Sequence, residues 1–518
     1  MSNQIISSRV ANSSLFRKVK RKAVLIFDAA RKIFISGSSG SGKTLLMSRQ
    51  IAWQDFVHGV PTVMLDPHGP MIDNFLDKFL RQPVAWQKEN NHRLRYVDMS
   101  GKLGHITPIP LYYRVGQESL AEIAGRPLEG FLKLDPNLQS ASIQGWNALK
   151  TTGTFFGMLA SALNLQVTEA ASMLGNPSIW YGRIREALAA NNELEPAFMF
   201  LQELAEAKPY ERRNQTASFF TKIEQFTLDP YMRAQWAASE PGINWAEVEE
   251  QGLAVLFDFR YVLQTEKRMF SMMFALNFLL EYIKQRGAGR HQPISLFIDE
   301  LTALFPVVGK AAEQLALDID ALINQYCRNY ALWLCVSTQE LYQFGERLAK
   351  TLLSMPAQIH GVTSDPSAAE ILAQRFFRYD PYWVKKYERV WMSDDIGPFV
   401  VDHTSNEFTT EEQIKIHAKK FLDLQPFQFL VCLPNQEGSL IGPLRKMSIA
   451  NLDPGLFPDA ELVDYSRNFL MRRDGQPLEI VLSEIQARNE SAKGLTRMST
   501  LELEADLKEQ DEIPFYGE

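Results

Sequence analysis

Cysteine is scarce in this chain: three residues in 518, Cys327, Cys335 and Cys432, scattered without metal-ligand spacing. Their scarcity and spread exclude a disulfide framework and a cysteine-based zinc site, and fit a reducing compartment. Long apolar runs are missing too. The longest candidates, over 151–163 and 269–283, fall short of the roughly 18 residues a membrane span needs, and read as buried core helices. Positive charge is not in excess, with 54 Lys and Arg against 61 Asp and Glu and a net charge of −7. That argues against a surface coated with nucleic acid, but not against a basic lining confined to a few loops. The basic residues Arg17, Lys18, Lys20, Arg21 and Lys22 have no apolar stretch behind them, so they do not make a secretory signal. They read as a solvated segment, the favoured reading, or as an arm for DNA or an acidic partner. Internal repeats and low-complexity tracts are absent.

What is present is an ordinary globular composition, 46% hydrophobic and 22% charged, with length for two or three domains. Its most informative segment is 31–44, where a short apolar run opens into Gly37, Ser38, Ser39, Gly40, Ser41, Gly42, Lys43 and Thr44. These residues match the phosphate-binding pattern G-x-x-x-x-G-K-[ST]. Glycines let the backbone turn tightly and aim N–H groups at phosphate oxygens. Lys43 suits the β- and γ-phosphates, the Thr44 hydroxyl suits Mg²⁺, and the helix that follows turns its positive end to the anion. ATP and Mg²⁺ are therefore the expected ligands.

Along the chain, strands alternate with helices at both ends and a helical stretch lies between them. The pattern predicts an α/β fold, a mostly parallel sheet with an inserted all-helical domain. Its expected parts are an N-terminal segment (1–30), a first core part (31–114), the helical insertion (115–245), a second core part (246–450) and a polar C-terminal region with an acidic tail (451–518).

The apolar strand over 294–298 ends in Asp299-Glu300. Downstream of a P-loop, the first acid is expected to hold the Mg²⁺ shell and the second to act as general base on the attacking water. More than 250 residues separate Lys43 from Asp299, a gap the insertion accounts for. Gln339 ends the next strand, where an amide can meet the γ-phosphate or be an ordinary loop residue. Arg328 lies eleven residues earlier, and reads as an arginine finger for a neighbouring subunit or as a surface charge. Asp66 and His68 end the second strand. They can border the nucleotide or simply close a turn, with structural support the favoured reading. Lys208, Arg212 and Arg213 read as a solvated helix face or a DNA backbone contact.

Taken in order, the P-loop, the Asp-Pro-His-Gly strand end at 66–69, the Ile-Asp-Glu strand, Cys-Arg-Asn (327–329) and Ser-Thr-Gln (337–339) resemble the FtsK/HerA superfamily of motors. Within it, the insertion, Arg328 and the segment that starts Val-Thr-Ser-Asp-Pro-Ser at 362 look most like conjugative coupling proteins of the TraD/TraG type and HerA-like ATPases. The resemblance spans about residues 30–450. It implies a RecA-like P-loop ATPase that forms a ring, of six subunits in the family, and moves DNA through its channel. By that pattern Lys43, Thr44, Asp299 and Glu300 are catalytic, Gln339 senses the γ-phosphate, and Arg328 acts in trans. About 36 residues precede the P-loop, too few for the membrane helices of coupling proteins or the β-barrel of HerA-type enzymes. The expectation is a stripped motor, either soluble in the cytoplasm or tethered to a membrane by another protein, with a relaxase, secretion machine or effector as the expected kinds of partner. Two further classes share these motifs: a protein-directed secretion or assembly ATPase, and an ATPase ring that scaffolds an antiviral effector.

Overall fold

Short apolar runs bounded by Gly, Pro and Asp become the strands of one nine-stranded sheet. In chain order they are β1 (Lys32–Ser36), β2 (Thr62–Asp66), β3 (Leu94–Asp98), β4 (Ala254–Asp258), β5 (Ile294–Ile298), β6 (Leu332–Thr338), β7 (Ala357–His360), β8 (Gln428–Cys432) and β9 (Arg445–Ser448). The structure is a computed structural model, and it describes residues 32–134, 143–289, 291–304, 317, 319–339, 345–394, 397–433, 445–449 and 458–491. The basic N-terminal residues and the acidic tail lie outside the described residues.

Across the sheet the order is β9-β8-β7-β1-β6-β5-β2-β4-β3. From β7 to β3 every neighbouring pair is parallel, while β8 and β9 add antiparallel at one edge. The fold is thus α/β with a mostly parallel, RecA-like sheet. Parallel strands covered on both faces are near-continuous in apolar residues, which is why their sequence runs do not alternate. Alternate residues still part company. Phe34, Val63, Leu65, Val255, Phe257 and Leu296 join one core. Ile33, Ile35, Met64, Leu256, Phe297 and Cys335 join the other.

The second core is covered by the helix after the P-loop (Lys43–Leu46, Met47–Ala52 and Trp53–Val57, with a π-turn in the middle) and by the Pro70–Leu80 helix. The first core is covered by the helical stretch. That stretch runs from Leu120–Leu134 to Trp245–Gln251 without a strand among its described residues. Its core is continuous with the sheet face, so it packs as a layer on the sheet. Thr265–Gln285 is the helix between them, apolar on nearly every side and buried accordingly. Phe270 and Phe274 stack at 4.1 Å, and Phe270 meets Phe226 of the insertion at 4.2 Å. No helix among the described residues is long and apolar enough to cross a membrane.

Two features depart from the expected organisation. An antiparallel hairpin, Val384–Asp394 and Gly397–Glu407, stands apart from the main sheet. And the region past 451 is more than a polar extension. The Ala460–Asp474 helix buries Val463, Leu470 and Met471 beside β3, and Arg467 pairs with Asp73 at 2.7 Å. A further helix over 478–491 sends Arg488 to Glu169 and Ser239 of the helical stretch, at 2.9 and 2.7 Å. Its sparse apolar positions sit among charges that have partners only in the folded chain.

Candidate active site

The C-terminal ends of parallel strands collect the site, as they do in open α/β sheets. β1 delivers the P-loop and β5 delivers Asp299-Glu300. β6 lies between them, with Thr338 beside Ser36 and Val336 beside Ile298.

Gly37, Gly40 and Gly42 have φ of 152°, 76° and 97°, values that L side chains rarely adopt. Gly42 caps the following helix without a side-chain bond, which leaves the helix N–H groups for an anion. Lys43 is 7% exposed and folds back on the loop, donating to Gly37 O at 2.5 Å and Ser38 O at 3.1 Å. Burial pushes its ammonium below the ordinary lysine range, while the charges of Asp299 and Glu300 pull it back up.

The acids meet the P-loop through hydroxyls. Thr44 Oγ1 donates to Asp299 Oδ2 at 2.8 Å, and Ser337 Oγ donates to Asp299 Oδ1 at 2.6 Å. Ser337 Oγ also accepts from the Glu300 backbone N–H at 3.2 Å. Glu300 is half-buried with φ of 58°, and its carboxylate accepts from the Thr302 hydroxyl. A chain 255 residues apart in sequence is thereby closed to hydrogen-bond distance. Thr44 and Asp299 form a hard-oxygen pair of the kind Mg²⁺ takes, since that ion binds few protein oxygens and keeps water and phosphate for the rest. The residues fit the ion and the nucleotide.

Gln339 is exposed one residue beyond β6, across from the start of the P-loop. Arg328 is exposed on the Cys327–Asn329 turn, before the opposite end of β6. The seven residues of β6 make a strand of roughly 23 Å at about 3.3 Å per residue, a span no side chain bridges. Arg328 is therefore not brought to the P-loop of its own chain.

Asp66 is fully buried and accepts from the N–H groups of His68 (3.1 Å), Gly69 (2.7 Å) and Ile72 (3.0 Å). Its carboxylate holds the turn into the Pro70–Leu80 helix, and His68 is exposed. Burial and the nearby charges of Asp299 and Asp258 push Asp66 up to about 7, against the pull of those N–H bonds. Arg212 donates to Leu204 O, Ala205 O and Gly175 O, closing the end of the Glu195–Glu206 helix rather than facing outward as a free cation.

Several contributors had little signal in the sequence. Ser337 is one; the Ser-Thr-Gln stretch stands out for Gln339, and nothing in it marks the serine as the partner of Asp299. Others support the P-loop from the far side. Gly361 N–H donates to Ser36 O at 2.8 Å, Ser38 N–H to Val362 O at 2.7 Å, and Ser364 N–H to Ser38 Oγ at 2.9 Å. His360 Nδ1 bonds Ser36 Oγ at 2.7 Å within a cage of Phe34, Phe376 and Phe421.

The fold and these contacts define a P-loop nucleotide-binding core of RecA-like architecture. Among solved structures the chain is similar to the bacterial conjugative coupling protein TrwBdeltaN70 in its unbound form, at 14% identity and a TM-score of 0.49, covering 83% of this chain and 88% of that one. It is similar to plasmid coupling protein TrwB in complex with the ATP analogue ADPNP, at 14% identity and 0.49, covering 86% and 95%. It is also similar to VirB4 of Thermoanaerobacter pseudethanolicus, at 12% identity and 0.46, covering 82% and 90%. No protein-family profile and no curated protein matches the sequence.

Proposed function

We propose that this protein is an ATP-hydrolysing motor that assembles as a ring and translocates DNA. The observation that carries the ATPase reading is the hydrogen-bonded row Thr44–Asp299–Ser337–Glu300, which sets a P-loop hydroxyl, an acid and a second acid side by side. Lys43 can exchange its two carbonyl bonds for phosphate oxygens without leaving the loop. Thr44 and Asp299 would hold Mg²⁺, which when bound offsets phosphate charge. Glu300 orients and deprotonates the attacking water, and Gln339 reads the γ-phosphate. Arg328, remote from its own P-loop, suits the site of a neighbouring copy, and that favours a ring. The DNA part rests on the order of motifs shared with coupling proteins, and six is the subunit number that resemblance implies.

The test is ATP hydrolysis by the full chain with and without double- or single-stranded DNA at two salt concentrations, with Glu300→Gln as the blank. The expected result is turnover that DNA stimulates and salt weakens, since phosphate contacts release counterions. Glu300→Gln should bind ATP and hydrolyse at least a hundredfold more slowly. Hydrolysis indifferent to DNA would replace the translocase with a protein-directed motor or an effector scaffold. Full turnover by the variant would place the base elsewhere.

A further inference from the structure

Phe427 joins the Thr410–Leu422 helix to β8, far from the P-loop in sequence. In the fold its backbone N–H donates to Ser41 O at 2.9 Å, so it is bonded to the P-loop itself. Its ring lies on Gly42: a Cβ at that glycine would fall 2.6 Å from Phe427 Cδ1. Beneath them is Ile449, whose N–H donates to Phe427 O at 3.0 Å. Phe427 is half-buried and packs against the second core.

The backbone makes this placement unusual. Phe427 has φ of 64°, in the left-handed region that glycine takes freely and a bulky aromatic takes only under strain. Packing over Ile449 does not require strain; glycine would relax the turn and the apolar floor would remain. Strained non-glycine residues cluster where a ligand is handled. A flat ring at this point offers a π-face and no hydrogen-bond group, which suits stacking on a base of any identity.

We infer that Phe427 is the platform on which the nucleobase of the bound nucleotide stacks, and that it supplies affinity for the base while the P-loop supplies affinity for the phosphates. This inference rests on the nucleotide reading of the P-loop.

The test is calorimetric titration of the full chain with ATP and with inorganic tripolyphosphate, each with Mg²⁺. Phe427→Ala should bind ATP roughly tenfold more weakly, the scale of one lost base stack, and tripolyphosphate as wild type does. Phe427→Leu, which keeps apolar volume over Ile449, should show the same selective loss, and Phe427→Tyr should restore ATP binding. Unchanged ATP affinity in a folded Leu or Ala variant overturns the inference. So does a parallel loss for both ligands, because the ring would then act on the P-loop alone. Wild-type protein that binds neither ligand would overturn the nucleotide reading itself, an outcome distinct from both.

Discussion

His360 carries a histidine's chemistry into a place that forbids its charge. It is fully buried between β1 and three phenylalanine rings, and burial pushes its pKa down to about 3. The folded protein thus refuses a proton that the unfolded chain accepts near 6.5. Its contribution is complete above pH 6.5 and is lost as pH falls toward 3, because only the unfolded state gains the proton. At pH 5 the loss is about 2 kcal/mol. Urea unfolding at pH 7 and pH 5 should show that His360→Gln is less acid-sensitive than wild type by this amount. Equal acid sensitivity would mean the histidine is charged or exposed in the fold. The same residue holds Ser36, the last residue before the P-loop, so an inert imidazole steadies the start of the reactive loop.

At the scale of elements, three strands end in the same way. Asp66, Asp258 and Asp98 stand in register at the ends of β2, β4 and β3. Each is buried, and each turns its carboxylate to backbone or side-chain donors. Arg260 pairs with Asp258 and reaches Asp73 with two nitrogens, which fixes the Pro70–Leu80 helix; Arg467 adds the Ala460–Asp474 helix to the same acid. That last helix is part of the core. Leu470 is 1% exposed, so Leu470→Ala should cost about 2–5 kcal/mol of unfolding free energy. Phe469, 45% exposed on the same helix, should change it by no more than about 0.5 kcal/mol when made alanine. Equal small effects in denaturant melts would show that the helix does not dock.

At the scale of the whole molecule, the proposed ring gives Arg328 a role outside its own chain. The P-loop and both acids gather at the C-terminal ends of β1 and β5, and Arg328 lies before the opposite end of β6. In a ring, Arg328 of one copy would serve the next. Arg328→Ala should then bind ATP with wild-type affinity and hydrolyse it at least a thousandfold more slowly, the scale of a lost arginine finger. Mixed with Lys43→Ala, which keeps its arginine but loses tight ATP binding, it should regain at least tenfold. A mixed assembly shown by mass to contain both chains, yet no faster than either alone, would sink the trans role.

The sequence by itself determined what local chemistry can encode. Gly37, Gly40 and Gly42 let the loop turn tightly and present a lysine and a hydroxyl, because few other residue types allow it. The apolar runs ending in Asp66 and Asp299-Glu300 must be buried strands with acidic tips, and the periodic stretch between them must be helical. Only the tertiary structure decided who meets whom. Sheet order put β6 between the P-loop and the acids, which made Ser337 the bridge to Asp299. It put Asp66 onto backbone N–H groups, set Arg212 to closing a helix, and drew Phe427 onto Gly42. It also buried a charged C-terminal helix whose few apolar residues gave no clear period, since its anchors, Asp73 and β3, lie nearly four hundred residues away. Such pairings arise when distant surfaces exclude water together, and no local pattern of residues records them.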